Sequence, residues 1–460
     1  MSNRSRKHKR IVRQRALTAV MTIFILAVIS VGIYYGAKLL LADYKASRAQ
    51  KEAEAKARAE EDARLKAEEE AANASPDDDW YIAEDEEIVD DYADVPEISE
   101  NSLSESQAPK TDETVENKLT QMTIEEKVAQ LFVITPEDLT GVNVATAAGE
   151  ATKEALKEHP VGGIIYFAPN ILEPEQLKGM LSNIQSFSKE LTGLPLFLCV
   201  DEEGGDVTRI AQNEAFGIEK NPSLWDIGLS NDPDYAYSSG ESIAKYLKEY
   251  GFNVDFAPDA DIVSTSENSA IGTRSFGGDS ETVSKLSWQF ASGLEDNGIT
   301  ACFKHFPGLG STEEDTHLGM VSLRKTQTEI EANELVPFEN AVTSGANMIM
   351  AGHISCPLIT GDDTPASLSS VMLTDILRTG MGYNGIIITD SLKMNAVTDN
   401  YSPGEAAKLA ITAGADLLLM PESFEEAYNA LVEAVSSGEI TEDRIDDSVR
   451  RILSLKSKAF

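Results

Sequence analysis

The chain has 460 residues, with 77 Asp+Glu against 39 Lys+Arg, a formal net charge of −38 and 42% hydrophobic content. So large an acid excess repels phosphate backbones and argues against a general nucleic-acid-binding role. Three cysteines, Cys199, Cys302 and Cys356, with no CxxC spacing, argue against a disulfide framework or a thiolate zinc site.

Residues 1–15 carry seven Lys/Arg and no acid, and Ala16 to Ala37 follow without a charged side chain. A run of that length as a helix covers roughly 33 Å, enough for a hydrocarbon core of roughly 30 Å. The segment continues into Lys38 and LLLAD with no small-x-small cleavage site, so an uncleaved transmembrane signal-anchor over 16–41 is expected. The basic end stays in the cytoplasm, which places everything after it outside the cell membrane. Residues 42–118 form a charged stalk and linker: an Ala/Glu/Lys/Arg stretch with helical character, then 76–118, with 16 acids against two lysines, expected to be disordered through self-repulsion.

From 119 to 460 the composition turns globular. Eight short apolar runs follow one another: 130–134, 161–167, 195–201, 253–262, 300–308, 347–355, 385–391 and 416–421. Runs without strict alternation suit strands buried on both faces. Amphipathic stretches such as EPEQLKGMLSNIQSFSKEL, ETVSKLSWQFASGLEDNG and SVMLTDILRTGMG lie between them. Eight alternations favour an α/β fold of the (β/α)8 TIM-like barrel type over an open doubly wound sheet. No GxGxxG opens a helix after a strand and no GxxxxGK[ST] occurs, so no nucleotide cofactor is expected; the acids of DEEGGD would repel a pyrophosphate.

In a barrel the reacting groups belong at the carboxyl ends of the strands. Asp201 ends the third run, Lys304 and His305 lie near the end of the fifth, His353 of the sixth and Asp390 of the seventh. Each alone has a bland reading as a helix cap or a satisfied core residue. The loop after the fifth run, within KHFPGLGSTEEDTHLG, adds Asp315 two residues before His317, close enough for the carboxylate to orient the imidazole. With Asp390 available for nucleophilic attack, the pair gives the two-group arrangement of a retaining glycosidase.

At this point the chain resembles the family 3 glycoside hydrolases, and among them the single-barrel β-N-acetylglucosaminidases that act on cell-wall fragments. The resemblance spans nearly all of 119–460, through MTIEEKVAQLF, VDEEGGDVTR, FAPDADI with IGTRSFG, KHFPG followed by DTHLG, PASLSSVMLTDILRTGMGYNGIIITDSLKM and AGADLLLMP. It implies that Asp390 is the nucleophile forming a covalent glycosyl intermediate, His317 the general acid/base and Asp315 its partner. Asp201, Arg209, Arg274, Lys304 and His305 would hold the sugar hydroxyls and acetamido group. The implied partner is an amino-sugar glycan, peptidoglycan or a muropeptide, with no cofactor and no metal.

Three departures from the family pattern stand out: Leu309 where KHFPGHG has its second histidine, Thr316 in place of serine between Asp315 and His317, and Asp206 where arginine commonly follows the double glycine. A β-glucosidase or xylosidase of the same family would draw a glutamate acid/base from a further domain, whereas the DTH loop supplies one within the barrel. A metal-dependent hydrolase would call for HxH on an early strand or HExxH, and neither is present. A non-catalytic wall-binding protein is the alternative from another class, opposed by the presence of Asp390, Asp315 and His317.

Overall fold

The computed structural model describes residues 113–264, 271–312 and 319–459. The expected anchor, residues 16–41, and the linker up to 112 lie outside them, as do Asp315 and His317. Among the described residues no helix is long and apolar enough to cross a membrane.

Ten strands are found among the described residues: β1 (Phe132–Ile134), β2 (Gly163–Ile165), β3 (Phe197–Val200), β4 (Val254–Asp255), β5 (Thr300–Phe306), β6 (Val321–Ser322), β7 (Met348–Ala351), β8 (Ile354–Ser355), β9 (Ile386–Thr389) and β10 (Leu418–Leu419). Eight of them form one parallel sheet in the order β10-β1-β2-β3-β4-β5-β7-β9. The sheet nearly closes on itself. At the seam, Thr389 donates its amide to the Leu417 carbonyl and Asp416 donates to Ile387, at 3.0 and 2.7 Å. All eight apolar runs therefore contribute a barrel strand, and every residue of these eight strands is buried, as continuous apolar runs require.

Helices cover the outside. Pro174–Thr192 starts with proline at its first position and ends on Gly193 at φ +72°, while Ile124–Gln130 and Pro403–Ala413 open with capping boxes from Thr123 and Ser402. The expected helices over 173–191 and 281–298 form as Pro174–Thr192 and Ser280–Glu295, and Val371–Gly380 winds as a π-helix.

Two boundaries differ from the sequence expectation. The linker assigned through 118 ends earlier, because Glu113–Leu119 is a helix that buries Val115 and Leu119. Of its two acids Glu113 is exposed, while Glu116 is held against the fold, its Oε1 paired with Arg450 Nε at 2.5 Å. The run 347–355 is two strands: β7 stays in the barrel, and β8 leaves it to pair with β6 in a separate two-stranded ladder.

Candidate active site

Six of the eight residues to which the family resemblance gives a role line one cavity of about 490 Å³: Asp201, Arg209, Arg274, Lys304, His305 and Asp390. Ile165, Met350 and Leu419 from the strands line it too, and Phe167 follows β2, so it opens at the carboxyl end of the barrel. The other two, Asp315 and His317, lie outside the described residues.

Asp390 directly follows β9, and its place is set by the ladder: its amide donates to the Ala351 carbonyl at 2.8 Å. Its Oδ1 accepts from the Ser391 amide at 2.7 Å. Burial by itself would raise this carboxyl. The imidazoles of His305 and His353, the Ser391 amide and Lys304 together outweigh it and hold the group below the ordinary aspartate range. It is thus kept ionised.

The loop after β3 supplies the counter-charges. Gly204 and Gly205 adopt φ of +94° and +55°, and a Cβ on Gly205 would stand 2.8 Å from Ser223 Cα, so only glycine fits this reversal. The reversal leaves Glu203 fully buried between two cations. Arg274 forks onto it, Nε to Oε2 at 2.9 Å and the terminal nitrogen to Oε1 at 2.8 Å, and Lys304 Nζ lies 2.5 Å from Oε1. Burial would raise the Glu203 carboxyl, but Arg274 and Lys304 take it well below its usual range. Lys304 shows the converse: burial would lower its amine, and Glu203 and Asp201 carry it above the usual value. Lys304 also donates to Asp201 Oδ1 at 3.1 Å, and Asp201 Oδ2 lies 3.7 Å from Arg209, whose guanidinium stands over the Phe167 ring.

Glu202 works from behind. Completely buried, it accepts the amides of Arg209, Ile210 and Ala211 and the Tyr246 hydroxyl, which fixes the strap between Glu203 and Ala211. His305 is oriented by Asp261, whose Oδ2 lies 2.7 Å from Nδ1 and whose other oxygen accepts the Leu309 amide. Leu309 is itself buried, so the position where the family has a second histidine packs into the core. Asp206 is turned toward the Thr273 hydroxyl at 3.4 Å and does not line the cavity.

Asp259, Asp261 and His305 bring possible metal-ligand atoms within 4.8 Å of one another. Three of their four carboxylate oxygens already serve the His305 ring and the amides of Leu309 and Asp261, and the fourth, Asp259 Oδ2, makes no hydrogen bond among the described residues but stands 3.6 Å from Arg274. A resident guanidinium at that distance opposes a further cation.

Sequence reasoning missed Glu202, Glu203 and Asp261, though all three stand in stretches quoted above. It also put His353 on the rim, whereas the structure buries it behind Ser391. Two acids beside a double glycine and a buried Asp-x-Asp after a strand were signals available for the missed residues.

Carboxylates and cations clamped pairwise around an ionised aspartate, at the mouth of an eight-stranded parallel barrel, define a hydroxyl-binding hydrolase site. The glycosyl hydrolase family 3 N-terminal domain matches residues 123–455, and the chain belongs to this family. It is 31% identical over 326 residues to beta-hexosaminidase A of Pseudoalteromonas piscicida, covering 66% of this chain and 54% of that relative. Against beta-hexosaminidase LpqI of Mycobacterium tuberculosis it is 31% identical over 339 residues, covering 72% and 82%. A solved family 3 beta-N-acetylglucosaminidase from Paenibacillus sp. str. FPU-7 superposes with a TM-score of 0.68 at 36% identity, covering 73% of this chain and 62% of that one. The chain thus spans about half the length of the first relative and under two thirds of the Paenibacillus protein.

Proposed function

We propose that the protein is a retaining exo-β-N-acetylglucosaminidase that removes terminal β-linked N-acetylglucosamine from peptidoglycan or muropeptides. Asp390 attacks the anomeric carbon and forms a glycosyl-aspartate. His317, partnered by Asp315, protonates the leaving oxygen and then takes a proton from the water that releases the sugar. Asp201, Arg209, Arg274, Lys304 and His305 bind the hydroxyls and the acetamido group. The observation that carries the reading is Asp390, held ionised in a cavity it shares with those five residues. The names of the relatives support the amino-sugar substrate, and the apolar run at 16–41 supports a single-pass anchor with the barrel outside the membrane.

The test uses the full chain in detergent, with a chromogenic β-N-acetylglucosaminide and purified peptidoglycan. Asp390→Gly should lose at least about 10³-fold in turnover, and azide should restore product formation by replacing the missing nucleophile. His317→Ala should hurt poor leaving groups by roughly 10²-fold or more and good ones far less. Undiminished turnover in Asp390→Gly would end the assignment.

A further inference from the structure

The carboxylate of Asp390 receives a backbone hydrogen bond from Ser391, at the start of the loop that leaves β9. On either side of Ser391 the amides of Asp390 and Leu392 still donate to strand carbonyls, of Ala351 and Leu419 at 2.8 and 2.9 Å, and the Ser391 carbonyl accepts the Met394 amide at 3.0 Å, so His353 adds one further hold on this residue. The Ser391 carbonyl lies 2.9 Å from His353 Nε2. A carbonyl only accepts, so Nε2 carries the proton and donates it. The other ring nitrogen, Nδ1, stands 2.7 Å from the Ser367 hydroxyl, which donates to it in the neutral ring. Ser367 is anchored in turn by its own amide, which donates to the Gly352 carbonyl at 3.1 Å.

Both side chains are buried, and neither lines the cavity. Three segments distant in sequence meet here: the turn between β7 and β8, the stretch Ala366–Leu368, and the loop after β9. A histidine that merely filled the core would satisfy its nitrogens within its own surroundings. This one spends a donor on the residue whose amide binds the carboxylate.

We propose that His353, backed by Ser367, is a positioning residue for Asp390: it grips Ser391 from the carbonyl side and thereby aims the Ser391 amide at Oδ1. The inference rests on Asp390 being the nucleophile. A hydrogen bond to an ionised acceptor is stronger than a neutral one and keeps the carboxylate charged and fixed in direction. Loss of the grip loosens the nucleophile without removing any group that touches substrate.

The experiment compares His353→Leu, His353→Gln and Ser367→Ala in the full chain, with an activated chromogenic β-N-acetylglucosaminide that needs little protonation. Glutamine can present a side-chain amide donor to Ser391 in place of the ring N–H, and leucine cannot. We expect His353→Leu to lower kcat by roughly 10²-fold, as misplacement of a reacting group does, with KM changed far less. The acid limb of its kcat/KM profile should move to higher pH, while His353→Gln recovers most of the rate and returns the limb only in part, because the electrostatic pull of the imidazole on Asp390 is lost in both variants. Ser367→Ala should move the limb in the same direction by less, and it carries the test if His353→Leu does not fold. Equal impairment of the Leu and Gln variants with an unmoved limb would show a merely structural histidine and overturn the proposal, as would a wild-type limb in Ser367→Ala. Azide rescue of Asp390→Gly separates the two ideas. If rescue succeeds and the limbs stay put, positioning is wrong; if Asp390→Gly turns over unaided, the nucleophile reading is wrong.

Discussion

Lys456 offers a measurement of how the barrel is sealed at its lower end. It lies on the last helix, Glu442–Ala459, is 2% exposed, and stands 5.0 Å over the ring of Phe197, the first residue of β3. Its Nζ donates to Gln130 Oε1 at 2.8 Å, and no ion pair is found for it among the described residues. Burial brings its pKa from 10.5 down to about 7, against a small upward pull from Cys199. In the window from about 7 to 10.5 the unfolded chain binds the proton more tightly, so stability rises with pH there. A 3.5-unit difference is worth roughly 5 kcal/mol across the whole window, of which about 4 is still outstanding at pH 7. Lys456→Met removes that cost but leaves the Gln130 oxygen buried without a donor, a loss of about 1 to 3 kcal/mol. The variant should therefore be more stable than the wild type by about 2 kcal/mol at pH 7, and the advantage should close or reverse by pH 10. Urea unfolding of both proteins at the two pH values reads the difference. A gap that does not change with pH would refute the reasoning, since it would mean that the amine does not titrate between those limits.

Two further outcomes follow from the site. Glu203→Ala leaves Lys304 and Arg274 buried beside a missing charge, and should cost about 3 kcal/mol in urea unfolding besides raising KM for any glycoside; a neutral outcome would show that Asp201 and Asp259 suffice as partners. Because Asp390 is held below the ordinary aspartate range, it stays ionised, and favours the folded state, down to a pH where an ordinary aspartate has already taken its proton. The acid limb of kcat/KM should accordingly fall below about pH 4. A limb at or above 5 would mean that a different group sets it.

Much of the barrel was legible because its strands are short, fully buried and separated by amphipathic helices, so each run stood out on composition. The residues at strand ends followed from the same placement: Asp201 and Asp390 each come directly after a barrel strand. What escaped notice depends on partners far along the chain. Glu203 means little until Arg274 and Lys304 close on it, and nothing near it in sequence announces either. Glu113–Leu119 looked like more of an acidic linker because Arg450, near the other end of the chain, holds it. The β6–β8 ladder has two residues per strand, too few for any periodic pattern to register.

The pairwise clamping around the cavity sets Asp201, Glu203 and Asp390 against Arg209, Arg274 and Lys304. Opposite signs at such short range cancel within a few ångströms, so an uncharged saccharide meets a dense array of directional partners and almost no net potential. Such a recess selects by stereochemistry, by which hydroxyl is axial and which equatorial, and hardly at all by ionic character. The surrounding molecule, at −38 overall, has the opposite disposition: it pushes anionic polymers away at long range. Added salt should thus speed the arrival of a charged glycan while leaving the grip on its terminal sugar untouched.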